Sequence, residues 1–372
     1  MKKLTLYAFL FFSITIGFAQ KREKDSLKGE EKFDKERNFI AIPTVTYNNS
    51  FGAMFGGMAS YFYHLNENDT ISPLSSSGLV ATYTSNKSWF LIVPNSLYFK
   101  EDKYRAKLVG GLGSIEFQTF VDWSDIIGNL PPAILPPNLD GTFIDFNTTF
   151  AFLYSEFVIK VYKDYYVGGN FLISNTKTIF DLPTNPEDEQ TLLGFGFNFE
   201  KDSRNNQFAP TLGNNGKLFT NHFLKSFGST SNYSNFNFQF NQYYPLKEKN
   251  TLMWRLYAQV ASGDVPFSGQ NVVGSDDLRG YSNGKNRANQ VYDAQTEYRH
   301  WLNEKWGFVA FGGIATAVNN FSDFSFNKLL PAAGAGIRFA ALPKSNINIG
   351  IDAAVGKEDW GVYFRIGEAF IR

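Results

Sequence analysis

From Asn38 to the end of the chain, apolar and polar residues alternate in segments of roughly 10 to 15 residues, separated by residues that favour turns. A strand sends successive side chains to opposite faces, so each such segment has one apolar and one polar face. Tyr233 to Asn241 shows it best: Phe236, Phe238 and Phe240 share one face, and Asn235, Asn237, Gln239 and Asn241 the other. The pattern predicts strands over residues 38–48, 52–64, 76–86, 88–101, 103–120, 143–161, 165–180, 190–202, 214–229, 232–246, 250–262, 289–302, 305–318, 330–341, 345–354 and 360–372. That is sixteen, an even number, which lets an antiparallel sheet close with both termini on one side.

Alternation by itself also fits a soluble sandwich, whose apolar faces meet in a core. The connections separate the two. One set includes the longest, Val121 to Gly141 and Asp264 to Ala288; the other includes tight turns at Lys163-Asp164, Leu246 to Asn250, Asn303 to Lys305 and Pro343 to Ser345. Long loops on one side and short turns on the other are the outer-membrane pattern, although His64 to Ser75 and Lys201 to Gly213 are long for the short side. Aromatic clusters at strand ends, such as Tyr61-Phe62-Tyr63, Tyr165-Tyr166 and Trp301 to Trp306, suit the two membrane interfaces. The expected fold is all-β, a 16-stranded antiparallel transmembrane β-barrel over residues 38–372.

The segment before it has a different texture. Met1 to Gln20 opens with two lysines, continues with the apolar run Leu4 to Phe18 and ends in small residues, which predicts a secretory signal peptide cleaved near Ala19 or Gln20. Lys21 to Arg37 is a charged run with too few apolar residues to fold alone, and reads as a short periplasmic lead. The mature chain is therefore expected in the bacterial outer membrane. No later stretch is long and apolar enough for a membrane helix.

Charge and composition exclude several functions. The 35 basic and 35 acidic residues balance, which gives no basis for nucleic-acid binding. The absence of cysteine removes disulfides, thiolate metal sites and a lipid-anchor thiol. His64, His222 and His300 are isolated, and no group has metal-ligand spacing, so no metal or cofactor is expected. His300 faces outward by parity without a serine or acid beside it, and no catalytic constellation is expected.

The connection containing Gly274 to Tyr281, G-S-D-D-L-R-G-Y, is too long for a hairpin turn. Taken alone, its Arg279 reads as a solvated loop charge. On the predicted twelfth strand, however, Asp293, Gln295, Glu297 and Arg299 share one face and Tyr292, Ala294, Thr296 and Tyr298 the other, so the charged set faces a lumen.

Four short motifs then carry a resemblance. Leu278 to Tyr281, L-R-G-Y, resembles the V-R-G-F/Y signature of the BamA/TamA superfamily (bacterial surface antigen type), outer-membrane barrels of assembly and translocation machines. Asp202 to Gly213 resembles its D-x-R-D/N-x-x-F-x-P-x-x-G turn, Gly334 to Arg338 its G-x-G-x-R strand, and Phe364 to Phe370 its last strand. The resemblance implies that the loop folds into the lumen and that acids on the inner wall hold its arginine. Glu297 is the candidate partner, Gly280 allows the tight turn beside the wall, Tyr281 completes the motif, and Arg338 either joins the anchor or solvates the lumen. Asp202 and Arg204 are close enough to pair in the periplasmic turn, which Pro210 and Gly213 make compact. One departure stands out: the family's F-x-D-x-G is matched to Phe308 to Gly312, with Ala310 where the acid belongs, so that either the anchor is weaker or Asp276 and Asp277 rearrange the network, which leaves the arginine's acidic partner open.

Closure pairs the first strand with the last. Pro43 lacks a donor and Gly367 loosens the final strand, which ends near Phe370, so this seam is expected to be short of hydrogen bonds. In the superfamily such a seam is a lateral gate; an ordinary closed seam is the alternative. Assembly members carry periplasmic POTRA domains, for which Lys21 to Arg37 is too short. The expectation is a barrel-only member that inserts, translocates or reorganises protein or lipid, its partners being outer-membrane lipids, client proteins, a separate periplasmic protein or another copy of itself. The alternative is a passive channel for small solutes.

Overall fold

The computed structural model describes residues 38–48, 51–121, 142–247, 250–274, 278–281 and 286–370. The predicted signal peptide and lead, most of the Val121 to Gly141 connection, and Asp276 and Asp277 lie outside the described residues.

The strands are β1 (Phe39–Asn48), β2 (Gly52–Tyr63), β3 (Ser75–Thr84), β4 (Trp89–Phe99), β5 (Tyr104–Val121), β6 (Thr142–Tyr162), β7 (Tyr165–Phe180), β8 (Glu187–Asp202) and β9 (Gly213–Phe223). They continue as β10 (Tyr233–Lys247), β11 (Asn250–Gly263), β12 (Asn271–Val273), β13 (Asn286–Ala288), β14 (Gln290–Trp301), β15 (Trp306–Val318), β16 (Leu330–Leu342), β17 (Ile347–Gly356) and β18 (Asp359–Ile366). All except β12 and β13 join one antiparallel barrel in chain order, with β11 beside β14 and β18 beside β1. The predicted sixteen-strand barrel is thus the observed one. The short strands β12 and β13 pair with each other inside the β11–β14 connection.

Barrel closure explains why strands this polar on one face are stable: away from the β1–β18 seam each strand finds backbone partners on both sides, and neither lipid nor lumen has to supply them. The alternation then sorts the side chains. On β10, Phe236 and Phe238 are exposed on the outer wall, while Asn237, Gln239 and Asn241 are buried inside. We call the end where β1 starts and β18 finishes the near end, and the opposite one the far end.

Two predicted strands end early. The ninth stops at Phe223 because residues 224–232 form a loop with a short 3-10 turn closed by Gly228 at φ +100°. The last stops at Ile366, where Gly367 takes φ +86° and donates its N–H to the Asn348 carbonyl at 2.7 Å. The following residues turn into the lumen. Phe370, expected at the seam, is instead buried with Tyr243 and Met253 of the opposite wall, and its carbonyl accepts from Tyr243 Oη at 2.9 Å and Asn241 Nδ2 at 3.1 Å.

The seam itself is short. β1 is paired along its length with β2, from Phe39–Tyr61 to Asn48–Gly52, but with β18 it shares only the pair Asn48–Gly361 at the far end. The Thr46 hydroxyl adds a hydrogen bond to the Val362 carbonyl. In the register set by that pair, Pro43 lies opposite Ile366, the last residue of β18. The ladder is thus lost over residues 44–47, before Pro43 is reached, and Pro43, with no N–H to donate, lies where β18 itself ends.

Candidate functional site

The inner wall of β14 carries Val291, Asp293, Gln295, Glu297 and Arg299, all buried, as its alternation requires. Against this wall lies the motif from the far-end loop. Leu278 and Tyr281 pack with Val273, Val291 and Ala315, with Leu330 and Ala332 at the edge of the cluster. These apolar contacts hold the loop inward, and Tyr281 fastens it by donating to the Pro331 carbonyl at 2.7 Å and accepting from the Lys357 N–H at 2.8 Å. Gly280 has φ +110°, and a Cβ there would come within 2.9 Å of the Val355 carbonyl group. Only glycine fits, since backbone rather than a flexible side chain occupies that space. Its N–H donates to Tyr363 Oη on β18 at 2.9 Å.

Arg279 is almost completely buried, at 2% exposure. Nη2 meets Glu297 Oε2 at 2.6 Å and Nη1 meets Asp352 Oδ2 of β17 at 2.6 Å. The guanidinium lies over the Phe311 ring, 3.3 Å from its centroid, a stacking geometry open to arginine and not to lysine. The acids are shared. Asp352 also pairs with Arg338 at 2.5 Å and Arg365 at 2.9 Å, and Glu297 with Arg299 at 2.7 Å. Glu368, in the segment that turns inward after β18, meets Arg338 at 2.7 Å and accepts from Asn348 Nδ2 at 2.8 Å. Arg338 thus bridges Asp352 and Glu368, and two of the sequence-predicted residues, Arg279 and Glu297, meet directly.

The sequence reading missed Asp352 and misplaced the departure. Ala310 lies on the exposed outer face of β15, where no residue could reach the lumen, whereas Val309 and Phe311 point inward. Parity requires the motif comparison to move by one residue, to Val309 through Gly313, so that Phe311 takes the acid's place. The acid comes instead from Asp352, the one carboxylate in I-N-I-G-I-D-A-A-V-G, on the inward parity of β17.

The near end is covered by the turn at residues 203–212. Arg204 makes a two-pronged contact with Asp202, at 2.7 and 2.8 Å, and Asp202 also meets Arg105 at 2.7 Å and Gln207 Nε2 at 2.7 Å. Gly213 sits at φ +97° with no room for a Cβ beside the Ser203 carbonyl. The turn reaches across the mouth: Phe208 packs edge-on against Phe62, 5.2 Å between centroids, in a cluster that includes Ile40, Leu342 and Ile347. Below the plug, Arg299 ties the parts together by donating to the Pro210 carbonyl at 3.2 Å and the Ala369 carbonyl at 3.2 Å. The Phe208 carbonyl accepts from the Glu368 N–H at 3.2 Å. The far-end loop and the near-end segments therefore meet through one buried set of charges.

A sequence profile described as the Omp85 superfamily domain matches residues 135–370, more than half of the chain. The chain belongs to the Omp85 superfamily. The resemblance read from the four motifs stands. No curated protein matches the sequence. Among solved structures this Omp85 barrel is similar to BamA from Haemophilus ducreyi (TM-score 0.54, 13% identity, covering 88% of this chain and 70% of that one). It is also similar to CdiB from Acinetobacter baumannii (TM-score 0.54, 12% identity, 88% and 59%) and CdiB from Escherichia coli (TM-score 0.55, 12% identity, 88% and 62%). The chain thus spans less than two thirds of the length of either CdiB. At these identities the likeness speaks for the fold.

Proposed function

We propose that this Omp85 barrel inserts, translocates or reorganises protein or lipid substrates at the outer membrane, and that they engage it at the β1–β18 seam. The near end faces the periplasm and the far end the exterior. The observation that carries the proposal is the seam, which holds a single ladder pair at its far end beside strands paired along their whole length. Backbone groups left unpaired in lipid cost several kcal/mol each, about the magnitude that makes an incoming strand or a reorganised lipid a favourable partner. A separate periplasmic protein or another copy of the barrel is the partner this reading favours.

The competing reading is a passive channel for small solutes. It is disfavoured by the loop folded in from the far end and by the turn and C-terminal residues folded over the near end, which share charges around Arg299, Arg338 and Glu368. Single-channel recording in planar bilayers tests the choice. A closed barrel with rare brief openings is expected, and a large steady conductance would make it a channel.

A further inference from the structure

The far-end connection between β15 and β16, residues 319–329, exposes three phenylalanines, Phe321 at 69%, Phe324 at 40% and Phe326 at 81%. Their rings form one row, with centroids 6.5 Å apart from Phe321 to Phe324 and 5.7 Å from Phe324 to Phe326. The row starts on the lipid-facing wall. Phe321 meets Tyr292 edge-on at 5.7 Å, and Tyr292 lies on the outward face of β14.

Alternation on β15 points to the same place. Ile314, Thr316 and Val318 face outward, and Ile314 is 46% exposed, yet Thr316 and Val318 are each 3% exposed. Thr316 pairs across the ladder with Tyr292, the residue on which Phe321 rests. Something covers the outer wall at this level, and the loop that packs on Tyr292 is positioned to do so. Its backbone is held in shape, since Asn320 and Asp323 cap each other and the Ser325 hydroxyl accepts the Asn327 N–H. The same outward fold recurs in the loop at residues 224–232, where Phe227 packs edge-on against Phe195 of the outer wall at 5.2 Å.

We propose that loop 319–329 is an interfacial anchor whose occupant is the outer leaflet, with the phenylalanine row seated at the boundary between headgroups and acyl chains. The row is continuous with the apolar belt of the barrel, and a contiguous apolar surface of this kind marks a contact rather than a solvated face. Ser322, Asp323, Ser325, Asn327 and Lys328 alternate with the rings and supply groups for the headgroup layer. Aromatic rings are at home at that depth. The consequence reaches the plug: the inner face of this β15–β16 hairpin packs the loop motif through Ala315, Leu330 and Ala332, so the hairpin is held by lipid outside and by the plug inside.

The chain has no cysteine, so Asn327→Cys gives a unique site for an environment-sensitive fluorophore. The labelled protein, in phosphatidylcholine vesicles, is exposed to aqueous iodide or to lipids carrying a nitroxide at the headgroup or high on the acyl chain. It is compared with the same label on a chain in which Phe321, Phe324 and Phe326 are all serine, with Phe326→Ser alone as the milder variant. Retention of heat-modifiable migration on gels shows that each variant is folded. Expected are quenching by the lipid nitroxides and protection from iodide with the native loop, both lost in the triple variant and weakened in the single one. Equal iodide access with and without the rings would overturn the proposal. So would protection that ignores the nitroxides and grows with protein density, because a second copy would then be the occupant.

Discussion

Arg279 and Asp352, 73 residues apart in sequence, meet at 2.6 Å inside the barrel, and the same carboxylate receives Arg338 and Arg365. One acid therefore joins the far-end loop to β16 and to the seam strand β18. Removing one member of a buried charge set leaves the others uncompensated, at a cost of about 3–5 kcal/mol. Asp352→Asn is expected to lower the temperature at which the folded band on gels is lost, by more than Glu297→Gln, which strands two arginines instead of three. Arg279→Ala is expected to lower it as well, and unchanged melting of Arg279→Ala would remove the anchor role from this residue.

Gly280→Ala tests the seat of the loop without touching a charge. The added methyl meets the Val355 carbonyl group and the backbone keeps φ +110°, so a cost of about 1–3 kcal/mol is expected. Limited proteolysis of reconstituted protein from the far side should cut the loop faster than in the native chain, with the barrel itself intact.

The register of β15 separates two neighbouring substitutions. Ala310→Asp puts a carboxylate on the outer wall and should reduce the yield of folded barrel, with a penalty of order 1–3 kcal/mol in the apolar belt. Phe311→Asp puts one beside the Arg279 guanidinium, where it gains an ion pair and loses a stacked ring. Refolding into lipid vesicles should be impaired more by the first than by the second.

Asp69 supplies a pH test at the near end, outside the membrane-spanning strands. Its carboxylate accepts the backbone N–H groups of Ser72 at 2.9 Å and Glu101 at 2.9 Å, clasping two neighbouring turns. The Ser72 N–H, then the Glu101 N–H and the Ser72 hydroxyl, hold its carboxyl well below the usual carboxylate range. Because the folded value is the lower one, the clasp stabilises fully above the unfolded value, about 4, and that contribution is lost as pH falls through the folded value. Hydrogen exchange of the Ser72 and Glu101 amides should be slow at neutral pH and down to about pH 4, and fast at neutral pH in Asp69→Asn.

Much of the fold was legible because a membrane barrel writes its period along every strand. Phe236, Phe238 and Phe240 against Asn237, Gln239 and Asn241 is a local signal, and the sixteen strands follow from repeating it. Arg279 and Glu297 were legible as a pair because the loop motif and the parity of one strand each pointed inward. Asp352 was not, since its contact with Arg279 depends on how far the loop penetrates and on which strands face it, and a period of two is silent on both. Its signal was present, a single acid on the inward parity of an otherwise apolar strand. Ala310 was misread because a motif was matched by composition, and parity would have moved it by one residue. The inward turn at Gly367 was hidden for a similar reason: Phe364 to Phe370 reads as strand until Glu368 finds Arg338.

Substrates that engage the β1–β18 seam, rather than pass through the lumen, must come within reach of the outward face of β1. A photoreactive amino acid at Ala41, on the outward face of β1 beyond the end of β18, is compared in intact cells with one at Leu256, on the outward face of β11. Adducts are identified by mass spectrometry of both proteins and lipids. Seam engagement should give distinct adducts at Ala41, either discrete proteins or a lipid class enriched over the bulk membrane, against bulk lipid alone at Leu256. Identical adducts at the two positions would contradict it.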